Sequence, residues 1–138
     1  MFFNKKKEEK KEISYLTKIA SLLIHTAKID ENYTNDEEEI IKKTLLELGV
    51  KKNELDSLMT SAKHNEEKAN HILDFTREIK SLDEKDKIKI IRSLWKIVYS
   101  NKDADMYETS LMRRISGLLY IDSKTMGDIK EQIKKENS

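Results

Sequence analysis

The chain has 138 residues, of which 38% are charged and 37% hydrophobic, with three glycines, no proline and no cysteine. This length fits one domain, and the composition is typical of a helical bundle. The net charge of +1 creates no field that would attract nucleic acid, and the lack of cysteine excludes disulfides, thiolate metal sites and thiol catalysis. We therefore expect a single all-α domain that does not bind nucleic acid.

Residues 1–12 are predicted to form a charged N-terminal tail. Their sequence, MFFNKKKEEKKE, has the wrong order for a signal peptide, because the charges follow a two-residue apolar start. We expect an extended or frayed helical lead-in; the alternative is peripheral contact of Phe2 and Phe3 with a membrane surface or a protein partner. No run approaches the roughly 20 apolar residues of a membrane span. The predicted location is cytoplasmic.

From residue 13 onward, apolar residues recur at helical spacing and predict a single-domain bundle of about seven helices over 13–138. The first helix ends near Lys28 and is followed by an acidic loop. Thr34 is predicted to cap the second helix, because Glu37 stands three residues later, as a capping box requires. Gly49 is predicted to end that helix.

The middle of the chain predicts two more helices. The third starts at Asn53 or a neighbour and is expected to break at His64 and Asn65, where the apolar pattern stops. A bridging helix follows over about residues 68–82.

The most apolar helix comes next and is predicted to lie at the centre of the bundle, capped by Asp83. Its apolar positions are Ile88, Ile90, Ile91, Leu94, Trp95, Ile97 and Val98. A second acidic loop follows, in which Asp105 and Glu108 have the spacing of another capping box. Asp122 or Ser123 opens the last helix.

The two halves of the chain resemble each other. A constant shift of 71 residues, from Ala20 to Ile91, superposes them without a gap. The shift also matches the loops, placing Asp30 on Asn101, Thr34 on Asp105 and Glu37 on Glu108. Matched polar loops arise by chance less easily than matched apolar positions. We predict two helix–acidic loop–helix–helix units, at about 13–63 and 84–134, related by a pseudo-twofold axis.

Two stretches carry a family resemblance. The second unit, IKIIRSLWKIVYSNKDADMYETSLMRRISGLL, has an apolar helix, an acidic loop, then YE and a double arginine before LL, and IDENYTNDEE forms the first loop. In these features the chain resembles the TerB-like family, associated with tellurite resistance, over about residues 13–134. The resemblance implies a bacterial cytosolic all-helical module that acts with protein partners in stress-response assemblies at the inner face of the membrane.

The same resemblance implies that the acidic loops bind a divalent cation such as Ca²⁺ or Mg²⁺. Carried over residue by residue, it indicates the metal ligands Asp30, Glu37, Asp103 and Glu108. Both loops depart from the family pattern, because Asp30-Glu31 lacks the glycine and Asn101-Lys102 stands where Asp-Gly is typical. The lost carboxylate and the added lysine should weaken a cation site in the second loop. The first loop is the better candidate.

A purely structural interpretation of Glu37 and Glu108 is the alternative: both would be capping-box residues and no metal would bind. Neither loop is an EF-hand, because the twelfth position, which needs a bidentate glutamate, holds Ile41 or Met112. The three histidines are expected at the surface rather than in a zinc site: His25, His64 and His71.

The sequence contains no recognisable nucleophile–base pair, phosphate-binding loop or dinucleotide turn, so we expect a protein that is not an enzyme. Two hypotheses remain. The chain is either a stress-associated module that binds a divalent cation through its acidic loops, or a helical protein–protein adaptor, co-chaperone-like or part of a membrane-associated assembly, whose loops are structural.

Overall fold

The computed structural model describes the backbone of residues 2–29, 33–101 and 106–136, and the side chains of 14–29, 33–100 and 108–136. These residues form seven α-helices and a 3₁₀ turn, which confirms the predicted all-α class. The elements are α1 (Phe2–Ala27), α2 (Asn35–Glu47), α3 (Leu55–Lys68), α4 (Leu73–Ile79), α5 (Glu84–Val98), the 3₁₀ turn (Tyr99–Asn101), α6 (Met106–Leu118) and α7 (Ser123–Glu136). None of the described helices combines the length and apolarity that crossing a membrane would need.

Helix α1 begins at Phe2, so the backbone of residues 2–12 is part of the same helix as the segment that follows. Lysine and glutamate fill this segment and have high helix propensity, and neither proline nor glycine interrupts it. At a rise of about 1.5 Å per residue, α1 is about 39 Å long.

Aspartate side chains cap two of the helices at the positions that the sequence predicts. Asp83 Oδ1 accepts a hydrogen bond of 2.9 Å from the Asp86 amide at the start of α5. Asp122 Oδ1 accepts one of 2.8 Å from the Thr125 amide at the start of α7. Each carboxylate satisfies an amide that has no partner within its own helix and lies at the positive end of the helix dipole.

Helix α3 extends further than the sequence predicts. It continues through His64 and Asn65 and ends at Lys68, so the predicted break was wrong. Histidine and asparagine lower helix propensity only slightly, and neither removes a backbone donor as proline does. The first turn begins at Leu55 after Glu54, and no side chain in the described part of the chain caps it.

Helices α2 and α6 end with the same backbone motif. Gly49 has φ 106° and Tyr120 has φ 57°, both in the left-handed region. In each case the amide of the following residue donates a hydrogen bond of 3.0 Å to the carbonyl five positions earlier. This is the Schellman pattern, which favours glycine. Tyr120 adopts it against the steric preference of an L-residue.

Helix α5 lies at the centre of the bundle and packs against α1, α2, α6 and α7. Its inward positions are fully buried: Ile90, Ile91, Leu94, Ile97 and Val98. Trp95, 4% exposed, is also part of this core, as predicted. Its ring stacks on Tyr99 with centroids 5.9 Å apart. On the α7 side, Lys130 Nζ lies 5.7 Å from the Trp95 ring centroid.

Two buried hydroxyl contacts hold neighbouring helices close together. Ser21 Oγ on α1 donates to the Ala62 carbonyl of α3 at 3.1 Å. The hydroxyls of Thr44 on α2 and Ser93 on α5 are hydrogen-bonded to each other. Because these polar groups are satisfied inside the core, they permit close helix packing without the cost of an unpaired buried donor or acceptor.

Candidate functional site

The C-terminal end of the first acidic loop is fixed by the predicted capping box. Thr34 has extended backbone angles, and its Oγ1 accepts a hydrogen bond of 3.1 Å from the Glu37 amide. Glu37 Oε1 in turn accepts from the Thr34 amide at 2.9 Å and from the Thr34 hydroxyl at 3.0 Å. These reciprocal bonds set where α2 begins and orient the Glu37 carboxylate.

Glu37 is 1% exposed, which is unusual for a carboxylate. Burying a charged group is costly unless hydrogen bonds or opposite charges compensate. The two donors from Thr34 and the positive end of the α2 dipole provide part of that compensation. Asp36 and Glu38 flank Glu37, so three consecutive carboxylates occupy the first turn of α2.

A lysine of α3 pairs with this acidic turn, and two basic side chains at the end of α1 pair with a glutamate of α3. Lys63 of α3 pairs with Glu38 at 2.6 Å. Glu66, one turn further along α3, accepts from Lys28 at 2.7 Å and lies 3.2 Å from Nδ1 of His25. The Glu66 side chain is 9% exposed, so this carboxylate is held by α1 at the edge of the core. The network ties α1, α2 and α3 together next to the first loop.

Tyr33 lies between the loop and this network. Its pKa is raised far above the ordinary value, mainly because burial disfavours the phenolate and further because Glu38 and Glu37 repel it. Its hydroxyl is buried and has no hydrogen-bond partner among the described residues. Lys63 Nζ lies 5.8 Å from the ring centroid, within the range of a cation–π contact.

A cavity of about 250 Å³ opens beside Tyr33. Its walls carry two lysines and two glutamates around an apolar base: Ile24, Lys28, Tyr33, Lys63, Glu66 and Glu67. Together with the first turn of α2 they form an acidic environment that is partly neutralised by Lys28 and Lys63. A divalent cation in this cavity would meet carboxylates, but also two competing ammonium groups.

The second loop offers one described candidate. Glu108 lies in the first turn of α6 and is 5% exposed, so it resembles Glu37 in both position and burial. Asp103 lies outside the described residues, and so does Asp105, the residue expected to form a capping box with Glu108. Asp30 of the first loop also lies outside them.

The structure thus locates two of the four predicted ligands, Glu37 and Glu108, and places each as a buried carboxylate at a helix start. Within residues 14–29, 33–100 and 108–136, no three histidine, aspartate or glutamate side chains are grouped closely enough to hold a metal ion. His25 is half-buried beside Glu66, whereas His64 and His71 are exposed.

The sequence reasoning did not identify Tyr33, Lys63 or Glu66 as part of this site. Glu66 lies about 40 residues along the chain from its partners His25 and Lys28. Lys63 lies 25 residues from its partner Glu38. Side-chain pairs within one helix are only three or four residues apart. No local spacing rule links positions so far apart. A mixed-charge stretch such as KHNEEK is an ordinary solvated helix face until the packing of α3 on α1 is known.

Comparison with known proteins agrees with the family resemblance. One family model, described as tellurite resistance protein TerB, matches residues 16–131. That range contains both acidic loops and all helices except the first part of α1 and the last turn of α7. A search among curated proteins gave no significant match, and neither did a search among solved structures. The match covers most of the chain, and the protein therefore belongs to the TerB family of tellurite-resistance proteins.

Proposed function

We propose that this chain is a non-enzymatic, cytosolic member of the TerB family that binds a divalent cation, Ca²⁺ or Mg²⁺, at its first acidic loop. The observation that carries the proposal is the fixed start of α2. Its capping box holds Asp36, Glu37 and Glu38 in consecutive first-turn positions beside the loop that contains Asp30. Hard cations prefer several carboxylate oxygens that are oriented in advance.

The electrostatics of the neighbourhood also favour a cation. Glu38, Glu66 and Glu67 lie with Lys28 and Lys63 around the cavity and its ion pairs. Glu37 adds a fourth carboxylate in the neighbouring first turn of α2. The described part of this region is therefore net negative even before Asp30 and Glu31 are counted. A bound cation would relieve the repulsion among these groups.

A second candidate function is a protein–protein adaptor with purely structural loops. The capping box itself favours this alternative, because Glu37 Oε1 is already engaged by the amide and hydroxyl of Thr34. Glu38 is likewise paired with Lys63. On this hypothesis the acidic residues serve only to start α2.

Titration of Ca²⁺ and Mg²⁺ into metal-stripped protein, followed by thermal unfolding, tests the first proposal. An ion that binds only the folded state stabilises it by about 2.7 kcal/mol at one hundred times its Kd. We expect a rise in Tm that Asp30→Asn abolishes and Asp103→Asn leaves largely intact. Asp128→Asn, an exposed carboxylate of α7, is the matched control and should not alter the response.

No rise in Tm at millimolar concentrations of either ion would refute the cation proposal and leave the adaptor. A rise that Asp30→Asn and Asp128→Asn reduce equally would mean that the ion acts through general charge screening rather than at the loop.

We also propose that the two helix–acidic loop–helix–helix units arose by duplication and pack about a pseudo-twofold axis. Three features recur at the constant shift of 71 residues and support this proposal. Glu37 and Glu108 are both buried. Gly49 and Tyr120 both have left-handed backbone angles, and a Schellman hydrogen bond accompanies each of them. Superposition of 33–62 on 104–133 in an experimental structure would test it; helix axes that fail to coincide would refute it.

A further inference from the structure

An apolar groove of about 510 Å³ runs between α2 and the start of α3. Its apolar lining consists of Ile40, Leu46 and Leu55. Leu46 is 40% exposed, one of only two large hydrophobic side chains so exposed in the described part of the chain. A single exposed leucine is ordinary on a protein surface, but here it lies at the mouth of a groove whose base is also apolar.

The rim of the groove is basic. Lys42 and Lys43 of α2 and Lys52 of the α2–α3 turn line it, with Glu39 as the one acidic lining residue. None of the three lysines forms an ion pair with a residue that the structure describes, whereas Lys18, Lys28 and Lys63 all do. The groove therefore concentrates uncompensated positive charge in a chain whose net charge is only +1.

The pattern along α2 suits a helical ligand. Glu39, Lys42, Lys43 and Leu46 stand at positions i, i+3, i+4 and i+7 and form one stripe parallel to the helix axis. A partner helix placed along this stripe could set apolar side chains on Ile40, Leu46 and Leu55 and carboxylates against the lysines beside them. The charges that complement three lysines are carboxylates.

From this geometry we infer that the α2–α3 groove is a docking site for an acidic amphipathic helix of a protein partner. This inference deepens the adaptor function and needs no cation at the acidic loop, since none of the groove residues belongs to the predicted ligand set. A membrane surface fits less well, because the apolar atoms of Ile40 and Leu55 line a recess and only Leu46 projects. Insertion into a bilayer requires several projecting apolar side chains.

The test uses the full chain and a fluorescein-labelled synthetic helix that carries leucine at i, i+3 and i+7 between glutamates. A second helix, with lysine in place of each glutamate, is the charge control. Fluorescence anisotropy should give a Kd on the order of 10 µM for the acidic helix. Affinity should fall as salt rises, because exposed charges are screened. The lysine helix should bind at least about tenfold more weakly.

Three variants locate the binding surface. Leu46→Glu should weaken binding of the acidic helix at least about tenfold, and so should the double variant Lys42→Glu/Lys43→Glu. Lys134→Glu, an exposed lysine of α7, makes a matched single-charge change and should leave the Kd unchanged. Because Lys42 is half-buried, circular dichroism melting must show each variant folded, and Lys43→Glu alone provides a substitute at an exposed position.

Several outcomes would overturn the inference. If the acidic helix binds and the groove variants leave its Kd unchanged, the groove is not the docking site, although an adaptor role would survive. No binding at 200 µM, or equal binding of both helices, would refute the charge argument. Binding to anionic vesicles but not to the helix would assign the groove to membranes. Self-association that Leu46→Glu abolishes would assign it to a second copy of the chain.

Discussion

Replacement of Thr34 by alanine should destabilise the protein more than an ordinary loss of a helix cap. A serine or threonine cap typically contributes about 1 kcal/mol, with a range of about 0.5–2 kcal/mol. Thr34 Oγ1 does more than cap, because it accepts from the Glu37 amide at 3.1 Å and donates to Glu37 Oε1 at 3.0 Å. Since Glu37 is 1% exposed, water cannot readily replace either bond.

We therefore expect Thr34→Ala to lower the free energy of unfolding by about 2 kcal/mol, at the upper end of the range for caps. For a domain of this size that corresponds to a fall in Tm of about 5–8 °C. Urea denaturation followed by circular dichroism measures it, with a midpoint lower by about 1 M if the slope is near 2 kcal/mol per molar.

Two variants make the result specific. Thr34→Ser keeps the hydroxyl and should stay within about 0.5 kcal/mol of the wild type. Asp83→Ala removes an exposed cap that makes a single bond of this kind, and should cost about 1 kcal/mol. The reasoning fails if Thr34→Ala costs no more than Thr34→Ser, or less than Asp83→Ala.

Three further predictions concern helix boundaries. Gly49→Ala should lower the free energy of unfolding by about 1 kcal/mol, because φ 106° is unfavourable for an L-residue. Tyr120→Gly should change the free energy of unfolding by no more than about 0.5 kcal/mol, because relief of strain offsets the flexibility of glycine. A loss above about 1 kcal/mol for Tyr120→Gly in urea denaturation would contradict this. The pKa of Asp122 is lowered by hydrogen bonds from the amide and hydroxyl of Thr125. Its contribution to stability is therefore present above the unfolded pKa of about 4 and lost as pH falls below it. Between pH 5 and pH 3, Asp122→Asn should lose less stability than the wild type, and equal losses would count against the cap.

Helix starts and the central core could be predicted because their determinants are local. A capping box needs only Thr34 and Glu37 at a spacing of three, and Asp83 meets the same requirement for α5. Trp95 lies on the broad apolar face of an amphipathic helix, and packing in the core is what hides such a face from water.

Features that depend on packing could not be predicted in the same way. The break expected at His64 and Asn65 did not occur, because α3 is held along its length by α1, including the bond from Ser21 to the Ala62 carbonyl. The pairing of Glu66 with Lys28 also follows from that packing. Periodicity identifies which face of α3 is apolar, but it does not say that the lysine just after α1 will face the carboxylate across the contact.

The position of Trp95 provides an optical probe of cooperativity. It is the one tryptophan of the sequence, it is 4% exposed, and it joins α5 to the Lys130 side chain of α7. Its emission therefore reports the second half of the chain, whereas circular dichroism averages over all helices. If the two halves unfold as one unit, the two signals will change at the same urea concentration. If they unfold separately, a destabilising change at Thr34 will shift the circular dichroism transition while the tryptophan signal stays in place.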